Sequence, residues 1–190
     1  MASIVVFAAR LSDIVAKTRP REGIRWGGPA DHGALLAAGA GAAMVDGALG
    51  EAAIARVAVA EEAGRIIGQN FYVAAGPIRA YSWLVMELAA GRDVFAMGGF
   101  VAPESRGRHL LADIKGFAAR AFLDQGYVRM ISLVDARNEA SLRAHAHVGA
   151  VPLATLTRLR VGRLELVWKD RSFGHFHRGP RPFVFAAPVA

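Results

Sequence analysis

The sequence predicts an α/β domain: a mixed sheet with helices on both faces. Residues 93–135 read as strand (93–102), helix (106–125) and strand (127–134), and a strand that returns through a helix lands parallel to the first. Residues 56–73 and 155–169 read as two hairpins, each a pair of alternating runs about a glycine, Gly64 and Gly162. The chain has 190 residues, 54% hydrophobic and 21% charged, which suits one globular domain with a substantial core.

Taken in order, the elements begin with Ile4, Phe7, Ala8, Leu11, Ile14 and Val15, which recur at helical spacing over residues 3–17, with Ser3 as a candidate N-cap. This predicts an amphipathic helix, stopped by Thr18-Arg-Pro-Arg-Glu-Gly23, that packs on the domain or on a partner copy. Residues 1–20 thus read as an N-terminal helical extension, and a homodimer is one assembly it would serve. Residues 23–32 read as a short strand turning at Pro29 into a helix over 30–44, after which Asp46 can cap a second short helix to about residue 55. The hairpin 56–73 ends at Gly76-Pro77. Residues 81–90 fit strand and helix equally. Within strand 93–102, Gly98-Gly99 predicts a bulge or a close backbone approach. Helix 106–125 carries Leu110, Leu111, Ile114, Phe117, Ala118, Ala121 and Phe122 on one face and stops at Gly126. A helix over 138–148 ends at Gly149, and the hairpin 155–169 follows. The tail 170–190 lacks periodicity and reads as irregular, so the domain proper spans 21–169.

Composition narrows the function classes. The chain has no cysteine, which excludes disulfides, thiolate metal sites and a cysteine nucleophile, and fits a reducing compartment. The longest weakly polar run, residues 33–45, is too short to span a bilayer, and no basic n-region precedes Ile4-Val5-Val6-Phe7. A cytoplasmic protein without a membrane span is expected. The net charge of +7 would attract phosphorylated ligands. There is no basic block interleaved with aromatics, so nucleic acid is not the expected partner. His175 and His177 lie two apart in the tail with no third ligand placed beside them, and no metal is expected.

The chemistry concentrates after the first parallel strand, because ligands of such sheets bind beyond the carboxyl ends of the strands. There Ser105-Arg-Gly-Arg-His109 opens a helix whose free N–H groups and positive dipole end suit a pyrophosphate, with Arg106 and Arg108 adding charge. About 30 residues on, Asn138-Glu-Ala-Ser141 starts the next helix with an asparagine cap.

The run Gly99-Phe-Val-Ala-Pro-Glu-Ser-Arg-Gly-Arg-His-Leu-Leu111, followed by Asn138-Glu-Ala-Ser-Leu-Arg-Ala-His-Ala-His-Val-Gly-Ala150, resembles the core of the GNAT superfamily of N-acetyltransferases. The resemblance covers about residues 23–169. It implies a mixed, mostly antiparallel sheet with a splayed parallel pair, and transfer of an acyl group, most often acetyl, from acyl-CoA to an amine on a small molecule or peptide. Acetyl-CoA or another acyl-CoA is then the co-substrate, with no metal. The resemblance implies pyrophosphate binding by Arg106, Gly107, Arg108, His109, Leu110 and Leu111. It places the pantetheine arm along residues 97–101 and at Asn138 and Ser141. Backbone N–H groups of Phe100 and Val101 are candidates for the developing oxyanion. Seven residues after Asn138, where many relatives carry the tyrosine that protonates the leaving thiolate, stands His145. A histidine near its reference pKa of about 6.5 can supply that proton at neutral pH, so His145 is the expected catalytic acid. Glu87, Asp93 and a water relay are candidate bases. The sequence departs from its relatives at His109 and Leu111, where small residues are usual. That keeps two other readings open: a longer acyl chain carried by CoA or by an acyl carrier protein, and a noncatalytic binding module on the same fold.

Overall fold

The computed structural model describes residues 1–49, 55–74, 76–161, 164–170, 172–177 and 182–188. Its first correction to the sequence reading is at the N-terminus. Ala2–Arg10 form a strand, β1, and the helix α1 is confined to Leu11–Lys17. Strand β1 pairs antiparallel with β8 (Arg129–Asp135) on one side and β9 (Val151–Val161) on the other, so these residues belong to the main sheet and are no helical extension. The reason is burial on both faces. Ile4, Val6 and Ala8 join one core while Ala9 joins another, and a run apolar on both faces matches helical spacing as readily as strand alternation.

Between these elements lie β2 (Ile24–Trp26), the hairpin β3 (Ala55–Glu62) and β4 (Arg65–Val73), and β7 (Asp93–Val101). The predicted helix over 30–44 is broken. A 3-10 turn at Pro29–Asp31 leads into α2 (His32–Ala37), and α3 (Ala42–Leu49) begins only after Gly39, whose φ of 85° ends the first helix. Asp46 lies inside α3, bonded to His32 Nε2 at 2.9 Å; of the predicted reach to residue 55, residues 50–54 fall outside the described residues and Ala55 opens β3. The ambiguous segment 81–90 contains β6 (Leu84–Glu87), which pairs antiparallel with β5 (Ile78–Tyr81). The tail is also corrected. Ser172–His177 form β11 on β10 (Leu164–Lys169), and Phe183–Ala186 form β12, parallel to β6. His175 and His177 lie on β11; their side chains are outside the description.

The main sheet runs β11-β10-β9-β1-β8-β7-β4-β3-β2, and β12-β6-β5 form a second, smaller sheet. On one face of the main sheet α1, α4 (Leu110–Asp124) and the end of α5 (Glu139–His147) cover Ala9, Tyr72, Val94 and Met130. The other face is covered twice. Leu35 and Val45 of α2 and α3 meet Val57, Val59 and Phe71, while Trp83, Leu84, Met86 and Phe185 meet Ile4, Val6, Ile131 and Leu156.

The feature that positions the site is a break in pairing. Strands β7 and β8 are parallel partners only from Asp93↔Arg129 to Ala96↔Ser132. Beyond that point, among the described residues, β7 pairs with β4 alone and β8 with β1 alone. The sheet therefore opens into a V whose apex is Ala96 and Ser132. On the β7 arm Gly98 and Gly99 stand opposite the single residue Asn70, a bulge. Gly98 has φ 61°, and a Cβ there would stand 2.8 Å from Met44 Sδ. A Cβ at Gly99 would stand 2.8 Å from Asn70 Oδ1, so close approach disfavours a side chain at Gly99, and at Gly98 the positive φ adds to it.

Candidate active site

The mouth of the V is framed by the start of α4. After a 3-10 turn at Pro103–Ser105 the chain passes through Gly107 (φ 79°) and His109 (φ 57°) before the helix begins at Leu110. The predicted start at Arg106 is thus four residues early, because residues 106–109 are a loop. His109 is the N-cap in left-handed conformation and provides no side-chain cap, so the first N–H groups of α4 have neither an intrahelical acceptor nor a capping side chain. The His109 ring stacks on His147 of α5, centroids 4.6 Å apart. Arg106 is exposed and its Nε donates to Val101 O at 3.2 Å. Arg108 reaches toward Glu62 at 3.9 Å. Leu110 is buried in the core, and Leu111 packs near Gly99. Their side chains are packing groups, and at the helix start only their backbone amides are left without an intrahelical acceptor. Phe100 and Val101 lie on the β7 arm beyond the apex, opposite Gln69 and Gly68 of β4. Among the described residues the edge of β7 that faces the V has no partner strand there.

Asn138 caps α5 as expected, its Oδ1 accepting from Ser141 N at 3.0 Å. His145, one helical turn past Ser141, is buried, 6% exposed, with its ring stacked on Phe7 of β1. Its Nδ1 lies 2.8 Å from Ser141 O; a carbonyl accepts only, so Nδ1 carries the proton and Nε2 is the acceptor. Nε2 receives a bond from Lys115 Nζ at 2.7 Å, and the same Nζ donates to Ser132 Oγ at 3.3 Å. Burial, then the charge of Lys115, hold His145 down from 6.5 to about 3. This corrects the expected role: His145 is neutral and its free lone pair is already engaged, so it has no imidazolium proton to give near neutral pH.

Lys115 is the residue the sequence reading passed over. It is 4% exposed, and burial pushes its amine from 10.5 down to about 7. Its position carried a signal, since 111, 115, 118 and 122 share one helix face and the other three residues are apolar. Both Lys115 and His145 bind fewer protons folded than unfolded. Their stabilisation is complete above the unfolded values and is lost as pH falls, between about 10.5 and 7 for Lys115 and between 6.5 and about 3 for His145. Urea denaturation should accordingly show the wild type losing more stability between pH 7 and pH 5 than a His145→Gln variant. Equal losses would contradict a neutral buried imidazole.

Two buried amides adjoin the bulge with one polar atom each lacking a partner among the described residues, Gln69 Oε1 and Asn70 Nδ2. By strand alternation the two amides lie on opposite faces of β4, and Asn70 stands beside Tyr72. The candidate bases fare differently. Asp93 is 1% exposed, at the amino end of β7 away from the turn, and is held by Arg129 at 2.8 Å through both oxygens. That makes it a structural carboxylate. Glu87 is exposed at the end of β6. Among the described residues no group of three or more His, Asp or Glu is placed to hold a metal ion, and no helix is long and apolar enough to cross a membrane.

No family model matches the sequence, and no curated protein matches it. In structure the chain is similar to a functionally unknown conserved protein from Staphylococcus epidermidis, with TM-score 0.59, 12% identity, and coverage of 81% of this chain and 59% of that one. It is also similar to an acetyltransferase from the GNAT family from Colwellia psychrerythraea, with TM-score 0.53, 16% identity, and coverage of 80% and 53%. An aminoglycoside N-acetyltransferase in complex with CoA superposes with TM-score 0.54 and 19% identity, over 66% of this chain and 89% of that one. The chain thus spans little more than half the length of the first two. At such identities the likeness shows the fold.

Proposed function

We propose that this chain, which has the fold of the GNAT acetyltransferases, moves an acyl group from acyl-CoA to an amine. The observation that carries the reading is the V between β7 and β8, with the uncapped start of α4 and two arginines at its mouth. A thioester arm laid along the open edge of β7 would pair with backbone groups as an added strand does. The pyrophosphate would meet the free amides of α4, with Arg106 and Arg108 neutralising its charge. Of Phe100 and Val101 only Val101 turns its N–H toward the V, because Ala102 N donates to Ile67 O of β4 and alternation puts the Phe100 N–H on that same side; the Val101 N–H would pair with the arm on its way from the mouth to the apex. The attacking amine must be neutral; with Asp93 committed to Arg129, its proton leaves through water.

Replacing Arg106 by Glu is expected to weaken CoA binding by about 1–3 kcal/mol through lost charge-assisted bonds. Arg106 is exposed, so the variant should fold, and calorimetry returning the wild-type Kd would contradict the phosphate role. The function itself is tested by thiol release from acetyl-CoA against a panel of amines. Thermal shift with CoA, acetyl-CoA and longer acyl-CoAs runs beside it, since only a ligand that binds the native state raises the midpoint. A shift with long acyl-CoA but not acetyl-CoA would move the reading to a longer acyl chain. Binding without turnover would favour a noncatalytic module.

A further inference from the structure

We propose that Lys115, held at the apex of the V by Ser132 and His145, is the group that protonates the departing thiolate. The inference rests on the acyl-transfer reading above. Ser132 is the last residue of β8 that pairs with β7, so the Lys115 Nζ bonded to it lies where the two strands separate. That is the point at which an arm lying along the free edge of β7 ends. As an ammonium the Nζ carries three N–H groups; His145 Nε2 and Ser132 Oγ take two, which leaves one to give.

The surroundings are those of a functional amine, not of a stabilising ion pair. The groups facing Nζ are the neutral imidazole from α5, with Phe7 and Ser141 behind it, and the Ser132 hydroxyl from β8. Among the described residues no carboxylate pairs with it. A cation buried without a counter-charge costs stability, and an apolar side chain of similar size would fill the place at lower cost. Burial also brings its titration to about 7, where an acid both holds and releases a proton at neutral pH. His145 positions it: Nδ1–H donates to Ser141 O, which turns Nε2 toward Lys115.

The step balances. The amine nitrogen forms a C–N bond to the thioester carbonyl, the C–S bond breaks with its electron pair going to sulfur, and the Lys115 ammonium gives that sulfur a proton. The proton lost by the attacking nitrogen passes to water, and Lys115 is reprotonated from water. The products are an amide and a thiol.

The chain has three lysines, Lys17, Lys115 and Lys169, so a sample labelled with lysine carrying 13C at Cε gives three resonances, assigned with Lys17→Arg and Lys169→Arg variants. The proposal expects Lys115 to titrate near neutrality and its resonance to move when acetyl-CoA saturates the wild type. Lys115→Met, with its fold checked by circular dichroism, should keep acetyl-CoA affinity. It should lose about 10²- to 10⁴-fold in turnover, and with it the fall in rate expected of the wild type above the Lys115 titration. Acetyl-CoA that binds while the Lys115 resonance stays still, or a folded Lys115→Met with wild-type turnover, overturns the assignment alone. Failure of acetyl-CoA to bind the wild type overturns the acyl-transfer reading with it.

Discussion

Truncating Leu11 and Ile14 together to alanine is expected to remove about 4 kcal/mol or more, a large share of the roughly 5–15 kcal/mol that holds a domain of this size. Both side chains are 0% exposed and lie in the core shared by α1, α4 and the main sheet. The surroundings cannot collapse into the space, because α1 is pinned to α4 at close range. A Cβ at Gly116 would overlap Thr18 Oγ1, that hydroxyl donates to Ile14 O at 2.7 Å, and Arg120 Nη2 donates to Thr18 O at 2.8 Å. Urea denaturation followed by circular dichroism measures the loss. A change below about 1 kcal/mol would mean that α1 is not part of the core.

Asp93→Ala is expected to cost about 3–5 kcal/mol, the usual effect of removing one partner of a buried ion pair. The carboxylate accepts from Arg129 through both oxygens and from Ala89 N at 3.1 Å. Without it Arg129, whose side chain is 14% exposed, keeps Pro188 O as its acceptor, at 2.6 Å. The pair ties β7 to β8 at the end where they remain hydrogen-bonded, opposite the V. The variant should therefore lose stability while the folded fraction keeps its affinity for CoA. Unchanged stability, or a selective loss of turnover in a fully folded variant, would restore Asp93 as a candidate base.

What the sequence could disclose follows from how local each feature is. The strand, helix, strand run of 93–135 was legible because one helix face and two short apolar runs repeat within it, and Gly98-Gly99 announced the bulge. The Asn138 cap was legible because both partners lie within one turn. Strand β1 was not, since a segment buried on both faces has no period to read, and β11 and β12 were hidden by a tail of Gly, Pro and His whose strands exist only through distant partners. The break after α2 was written in Gly39-Ala-Gly41 but read as helix. At the site, the ionisation of His145 follows from its burial and from Lys115, 30 residues earlier, so no local pattern could give it. Lys115 itself was visible as a lysine on an apolar face, though its bonding partners come from β8 and α5.

The central claim, that acyl-CoA lies in the opening between β7 and β8, is tested most directly by titrating CoA into the 15N-labelled chain and following its backbone amides. Saturable shifts at residues 97–101 and 107–112, with β2 and β3 unmoved, are predicted. No saturable shift, or shifts confined to other parts of the chain, would contradict it.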